Sequence, residues 1–170
     1  GRAGPTLAIK PGGKGDVTNS HVVWSSPRGS PFIPSPILYG DHLYMVNDMQ
    51  SIVTALKASS GESLYQGRLG VAQRGGFSAS PVALDGKVFF TNDNGQTVVL
   101  KAGATFQLLH TNDISEPWLA SAALEGGRVV LGPAGRVAPA TGIAAFAMAD
   151  GLGGARERAQ VEEGGAEPAA

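Results

Sequence analysis

Three histidines, one glycine-lysine loop and one run of asparagine and aspartate are the residues whose types could do chemistry in this chain. His21, His42 and His110 are its histidines. A metal site wants imidazoles at short spacing on one element, or brought together from several. No two of these three have a His-x-His or one-turn separation. Each falls in a predicted strand of a different sheet, where an edge or partly exposed position is the expected role. Gly12-Gly13-Lys14-Gly15-Asp16 suggests phosphate binding, but a phosphate loop needs a longer glycine spacing and a hydroxyl residue after the lysine. Gly15 follows instead, so a flexible hairpin turn is expected. Asn92-Asp93-Asn94-Gly95 offers oxygen ligands of the calcium type. Gln96-Thr97-Val98-Val99 follows, without the downstream glutamate, and Asn-Gly is a strong hairpin signal. Asn47-Asp48 occupies the matching place earlier in the chain, which favours a repeated turn device over a single special site. No nucleophile-elbow sequence accompanies the histidines. The chain has no cysteine, which removes disulfides, thiolate ligands and a Cys nucleophile. The expectation is therefore no catalytic residue, no metal ligand, no bound cofactor and no assignable cofactor-binding residue.

These residues sit on a repeat. Ser35-Pro36-Ile37-Leu38-Tyr39-Gly40-Asp41-His42-Leu43-Tyr44-Met45-Val46-Asn47-Asp48 aligns without a gap on Ser80-Pro81-Val82-Ala83-Leu84-Asp85-Gly86-Lys87-Val88-Phe89-Phe90-Thr91-Asn92-Asp93. The offset from Ser35 to Ser80 is 45 residues. A period of this length, made of β-rich runs and glycine-containing turns, is the pattern of propeller blades. The first full blade has predicted strands over Ser35–Tyr39, His42–Asn47, Ser51–Lys57 and Glu62–Gly67. The second has them over Ser80–Leu84, Lys87–Asn92, Gln96–Lys101 and Thr105–His110. Thr6–Lys10 and His21–Trp24 read as the last two strands of an earlier blade. Ala123–Leu131 echoes the opening hairpin of a later one.

From Gly132 onward the chain is rich in glycine, alanine and proline and the echo stops. Gly142–Met148 could form a weak helix or strand, and Arg156–Ala170 has the composition of a disordered tail. The expected organisation is a propeller segment over 1–131 and a low-complexity or disordered tail over 132–170. Within the segment, 6–24 ends a blade, 35–67 and 80–110 are blades, and 120–131 starts another.

A chain of 170 residues is too short for a closed ring, which needs about four blades or more. It is expected to be a fragment, its missing blades supplied by the rest of a longer protein or by self-association. The net charge of −1 gives no basic face for nucleic acid. No apolar run is long enough to span a membrane, and the N-terminus lacks the apolar core of a signal peptide.

The repeat resembles the pyrroloquinoline-quinone-like propeller repeats. The resemblance rests on Ser35-Pro36 and Ser80-Pro81 with their hairpins, and on Leu56-Lys57-Ala58-Ser59-Ser60-Gly61-Glu62-Ser63-Leu64-Tyr65. That stretch is similar to a strand–Ala-x-Thr-Gly-x-x-x-Trp signature with Ser60 for the threonine and Tyr65 for the tryptophan. His21-Val22-Val23-Trp24 keeps the tryptophan. Ala102-Gly103-Ala104-Thr105 departs further, with Phe106 as the available aromatic.

The resemblance implies an all-β, partial propeller of four-stranded antiparallel blades, about two full blades plus parts of two others. It implies that the turn glycine and the aromatic after it pack blade against blade. It implies a non-catalytic binding or scaffolding module, periplasmic or extracellular in a full-length protein, meeting a protein partner through its loops. Arg28, Arg68, Arg74 and Trp118 lie near those loops, with Trp118 expected as an inter-blade anchor. The alternative is a piece of a quinone-dependent dehydrogenase; no active-site aspartate can be aligned for it. A third reading is a chain that has lost its function, given the break after Leu131.

Overall fold

Two short hairpin turns set the blade geometry. Strand β3 (Ile37–Tyr39) turns into β4 (His42–Asn47) through Gly40-Asp41, with Gly40 at φ 59°. Strand β7 (Val82–Leu84) turns into β8 (Lys87–Thr91) through Asp85-Gly86, where both residues have positive φ, 48° and 71°. These are the two mirror-image solutions that suit the right-handed twist of a hairpin: glycine first, or both central residues left-handed. The repeat conserves the turn's role while swapping its chemistry.

The structure is a computed structural model that describes residues 4–27, 29–70, 76–113, 116–125, 128–131 and 144–146. Its remaining elements are β1 (Thr6–Ile9), the one-turn α1 (Thr18–His21), β2 (Val22–Ser26), β5 (Ile52–Lys57), β6 (Ser63–Arg68), β9 (Gln96–Lys101), β10 (Leu108–Asp113), β11 (Ala123–Glu125), β12 (Arg128–Leu131) and β13 (Ala144–Phe146). They form four antiparallel sheets: β1-β2, β3-β4-β5-β6, β7-β8-β9-β10 and β11-β12-β13. The chain is thus an all-β partial propeller: among the described residues, two four-stranded blades lie between a two-stranded and a three-stranded sheet.

The strands alternate between neighbours. Tyr44, Val46, Val53 and Ala55 on the first blade meet Val88, Phe90, Val98 and Leu100 on the second. The intervening residues Phe89 and Val99 face the other way and pack with Ala79, Trp118 and Val129 at the boundary with the third sheet. Burial on both faces explains why β4, β5, β8 and β9 are apolar in runs and not only at every second position. Each fully buried large side chain contributes about 1.5–3 kcal/mol.

The same bulge recurs in the outer hairpins. It lies between Ala8 and Ile9, between Ala55 and Leu56, and between Leu108 and His110. Just past it, Lys10, Lys57 and Lys101 donate their backbone N–H to the carbonyls of His21, Glu62 and Gln107 at 2.8, 2.8 and 3.0 Å. That alignment gives β1-β2 the register of a blade's outer pair. It also makes Trp24, Tyr65 and His110 one repeat position.

The structure corrects several sequence expectations. The fourth strand of the second blade starts at Leu108 and not at Thr105. Its preceding turn is longer because Phe106 folds back onto Tyr65, ring centroids 5.7 Å apart, and does not enter the strand. Phe106 is therefore not the counterpart of Trp24; His110 is. His21 closes α1 and lies outside β2. Residues 142–148 contain a strand: Ala144–Phe146 pairs with Val129–Leu131 and extends the third sheet beyond Leu131. The rest of 132–170 lies outside the described residues.

Candidate functional site

Antiparallel strand order gives every blade two ends. One carries the turns between second and third strands and the loops that enter each blade. The other carries the Gly40-Asp41, Asp85-Gly86 and Ser60-Gly61 turns.

At the first end, asparagine and aspartate hold the backbone. Asn47 Oδ1 accepts the N–H groups of Met49 and Gln50 at 3.2 and 3.0 Å. Asn92 Oδ1 accepts those of Asn94 and Gln96 at 3.1 and 2.8 Å. Asp48 Oδ1 accepts the N–H of Phe32 at 3.2 Å, and Asp93 Oδ1 that of Ser78 at 2.8 Å. The backbone carbonyl of Asp93 takes the Trp118 N–H at 2.9 Å. So each Asn-Asp pair closes its own turn and ties down an entering loop. The calcium-like run Asn92–Gly95 is a structural clip, and its first-blade copy does the same work.

The entering loops also run serine to serine. Ser80 Oγ accepts the Ser35 N–H, and Ser121 Oγ accepts the Ser80 N–H, both at 2.9 Å. This ladder links the first strands of three successive sheets. An aromatic stands three residues before each serine: Phe32, Phe77 and Trp118. Phe77 and Trp118 are 0% and 2% exposed and plug the two blade boundaries. Trp118 is an anchor, with its indole N–H donating to the Ala120 carbonyl. The sequence reading singled out Trp118 but missed the series, although Ser-Pro spacing marks two of its three members.

At the opposite end, aromatics dock on turns. Trp24 Nε1 donates to the Ala58 carbonyl at 2.9 Å, and its ring lies on Gly61. One blade later the contact is made differently. Gly103 N–H donates to the Tyr44 hydroxyl at 2.7 Å, and that hydroxyl reaches back to the Gly103 carbonyl at 3.4 Å. Burial raises the Tyr44 pKa, outweighing the bond with Gly103, which lowers it. Tyr65, at the tryptophan position, keeps a buried hydroxyl with no partner. Burial first, and Tyr44 second, push its pKa to about 12. Tyr39 Oη accepts the Gly86 N–H at 2.9 Å and closes the inner part of this boundary.

The candidate reactive groups do not converge. His21 Nδ1 is 2.7 Å from Ser20 Oγ at the end of α1. His42 lies beside Tyr44, ring centroids 6.1 Å apart, and His110 is exposed on β10. Among the described residues, no group of three or more His, Asp or Glu side chains is placed to hold a metal ion. Asp16 Oδ1 accepts the Thr18 N–H at 3.0 Å, and its bonds with Thr18 lower its pKa, so the Gly12–Asp16 loop leads into α1. Arg68 Nη1 donates to the Gln50 carbonyl at 3.5 Å. Arg28 and Arg74 lie outside the described residues. No helix among the described residues is long and apolar enough to cross a membrane.

No protein-family model matches the chain, and no curated protein does. Solved structures do. BamB from Moraxella catarrhalis superposes with a TM-score of 0.60 at 18% identity, over 85% of this chain and 40% of that one. A quinohemoprotein alcohol dehydrogenase from Pseudomonas putida superposes with a TM-score of 0.50 at 21% identity, over 66% of this chain and 18% of that one. Both likenesses are likenesses of fold. This chain spans less than half the length of either structure.

Proposed function

We propose that this chain is a non-catalytic propeller segment that holds a protein partner against the loop-bearing end of its blades. The observation that carries this is a set of exposed apolar side chains held on hydrogen-bonded loops. Ile33, Met49 and Leu119 are exposed at the end clipped by Asp48 and Asp93. Ile33 and Leu119 hold the same repeat position, two residues before the ladder serines. Exposed apolar groups on a hydrogen-bonded frame suit a protein contact, because little loop entropy remains to be lost on binding. The other end also exposes Ile9, Phe106 and Leu108, but beside turns that present Asp41, Ser59, Ser60 and Asp85.

The partner would be a protein with an apolar contact patch. An extracytoplasmic location belongs to this proposal, and it rests on the resemblance of the repeat. The dehydrogenase alternative rests on the fold likeness alone.

A photoreactive residue placed at position 49, and another at position 85, tests the reading in extracts of the source cell. Adducts to a defined protein from position 49 only, lost in Ile33→Glu and Leu119→Glu, are expected. Equal labelling from both positions would sink it. Tight binding of pyrroloquinoline quinone with calcium, with dye-linked alcohol oxidation, would move the assignment to the dehydrogenase class.

A further inference from the structure

The two Asn-Asp turns are not equal copies. Between Asn92 and Gln96 the second blade uses three residues, Asp93-Asn94-Gly95. Between Asn47 and Ile52 the first uses four, Asp48-Met49-Gln50-Ser51. The last residue of each turn is left-handed, Gly95 at φ 83° and Ser51 at φ 54°. Glycine takes that conformation freely and serine does not, so the longer turn holds strain that its copy lacks. It is closed all the same. Asn47 Oδ1 accepts the N–H groups of Met49 and Gln50, and the Asn47 carbonyl accepts that of Ser51 at 3.0 Å. The Ser51 carbonyl in turn accepts the Leu69 N–H at 2.9 Å.

This longer turn presents Met49, which is 71% exposed. Met45, on the adjoining strand, is its opposite in access. It is 0% exposed, and its Sδ accepts the Thr6 hydroxyl at 3.4 Å. A thioether is oxidised through a sulfur lone pair, so an oxidant has to reach that atom. The Met49 side chain is open to one and the Met45 side chain is enclosed. Met148 lies outside the described residues.

We propose that Met49 is a methionine-oxidation site, converted to the sulfoxide by a hydroperoxide in the folded chain, and that the sulfoxide weakens the protein contact at this end. The sulfur attacks one peroxide oxygen. The S–O bond forms, the O–O bond breaks, and the proton passes to the departing oxygen, which leaves as water or an alcohol. Sulfur is oxidised by two electrons and the peroxide is reduced. Two thiols reverse the step, ending as a disulfide and water. The weakening of the contact rests on the partner reading. A flexible thioether adapts to an apolar patch, whereas the sulfoxide oxygen would have to give up its water there. The Asn47 bonds keep the turn closed, so the change stays local to the contact.

The full chain carrying Met148→Leu is treated with hydrogen peroxide, quenched with catalase and mapped by peptide mass spectrometry. Met49 should gain one oxygen about tenfold faster than Met45 or more, with the circular-dichroism spectrum unchanged. Equal rates at the two methionines overturn the site, whatever becomes of the partner reading. A photoreactive phenylalanine at position 119 then reads the contact in extracts of the source cell. Adducts should fall about fivefold or more after peroxide, because a polar oxygen enters an apolar contact. In Met49→Leu they should stay at that variant's own untreated level. Selective oxidation of Met49 with no fall in adducts overturns the regulation, as does an equal fall in Met49→Leu. Absence of adducts from the untreated chain would instead sink the partner reading, and the regulation with it.

Discussion

The indole of Trp24 lies against Gly61 so closely that a Cβ at position 61 would stand 2.5 Å from its Cε3 atom. The glycine is there for two reasons. Its φ of 72° is strained for other residues, and its missing side chain is the seat of the ring. One residue in each of two sheets thereby fixes how the N-terminal sheet meets the first blade.

Gly61→Ala should therefore destabilise the chain by about 2 kcal/mol, more than the roughly 1 kcal/mol typical of a positive-φ glycine alone. Trp24→Ala should cost about 2–3 kcal/mol, below the range for a fully buried tryptophan because the ring is only half-buried. Urea denaturation followed by circular dichroism measures both. The two losses should add to less than their sum in the double variant, since both remove one contact. Full additivity would deny the docking.

Tyr65→Phe should stabilise the protein by about 1 kcal/mol at neutral pH, because it deletes a buried hydroxyl that has no partner. The same change should alter the alkaline limb. The folded-state pKa of Tyr65 is about 12, above the model-compound value of 10.0. Its contribution is complete below the unfolded pKa and is lost as pH rises from 10.0 towards about 12, since the unfolded chain releases its proton first. Allowing for partial exposure, this loss is about 1–2 kcal/mol. Urea midpoints across that range should fall less steeply in Tyr65→Phe than in the parent chain. Parallel curves would contradict the assignment.

Gly67→Ala should cost about 2 kcal/mol, because an added Cβ would collide with the Phe106 ring. In a Phe106→Ala background the same substitution should be nearly neutral. A double-mutant cycle reads the difference directly. If the Gly67→Ala cost survives in that background, Phe106 does not pack there.

Asp93→Ala should lose about 1–2 kcal/mol by leaving the Ser78 N–H without its acceptor, while Asp93→Asn keeps an oxygen in place and should lose less than half as much. Added calcium should change neither midpoint if the run Asn92–Gly95 is a clip for the backbone. A calcium-dependent rise in the parent chain, absent from Asp93→Ala, would restore the metal reading.

Much of the architecture was legible in one dimension. The Ser-Pro repeats, the Gly40-Asp41 and Asp85-Gly86 turns and the β-rich runs between them placed β3 to β9 within a residue or two. These signals are local: a hairpin turn needs particular φ values, and only a few residues accept them. The match of Thr6–Lys10 with Val53–Lys57 was also within reach. The start of β10 was not, because what delays it is a contact between Phe106 and Tyr65, residues 41 positions apart in the chain.

The sequence by itself determined the blade: where strands turn and which glycines bend. Only the tertiary structure decided which aromatic seats on which turn, that His110 stands where Trp24 and Tyr65 do, and that Asn92 and Asp93 accept backbone N–H groups. It alone showed that Phe32, alike in spacing to the buried Phe77 and Trp118, stays 49% exposed. The physical reason is that a strand's pattern records how apolar it is on each face, whereas burial depends on which neighbour stands opposite.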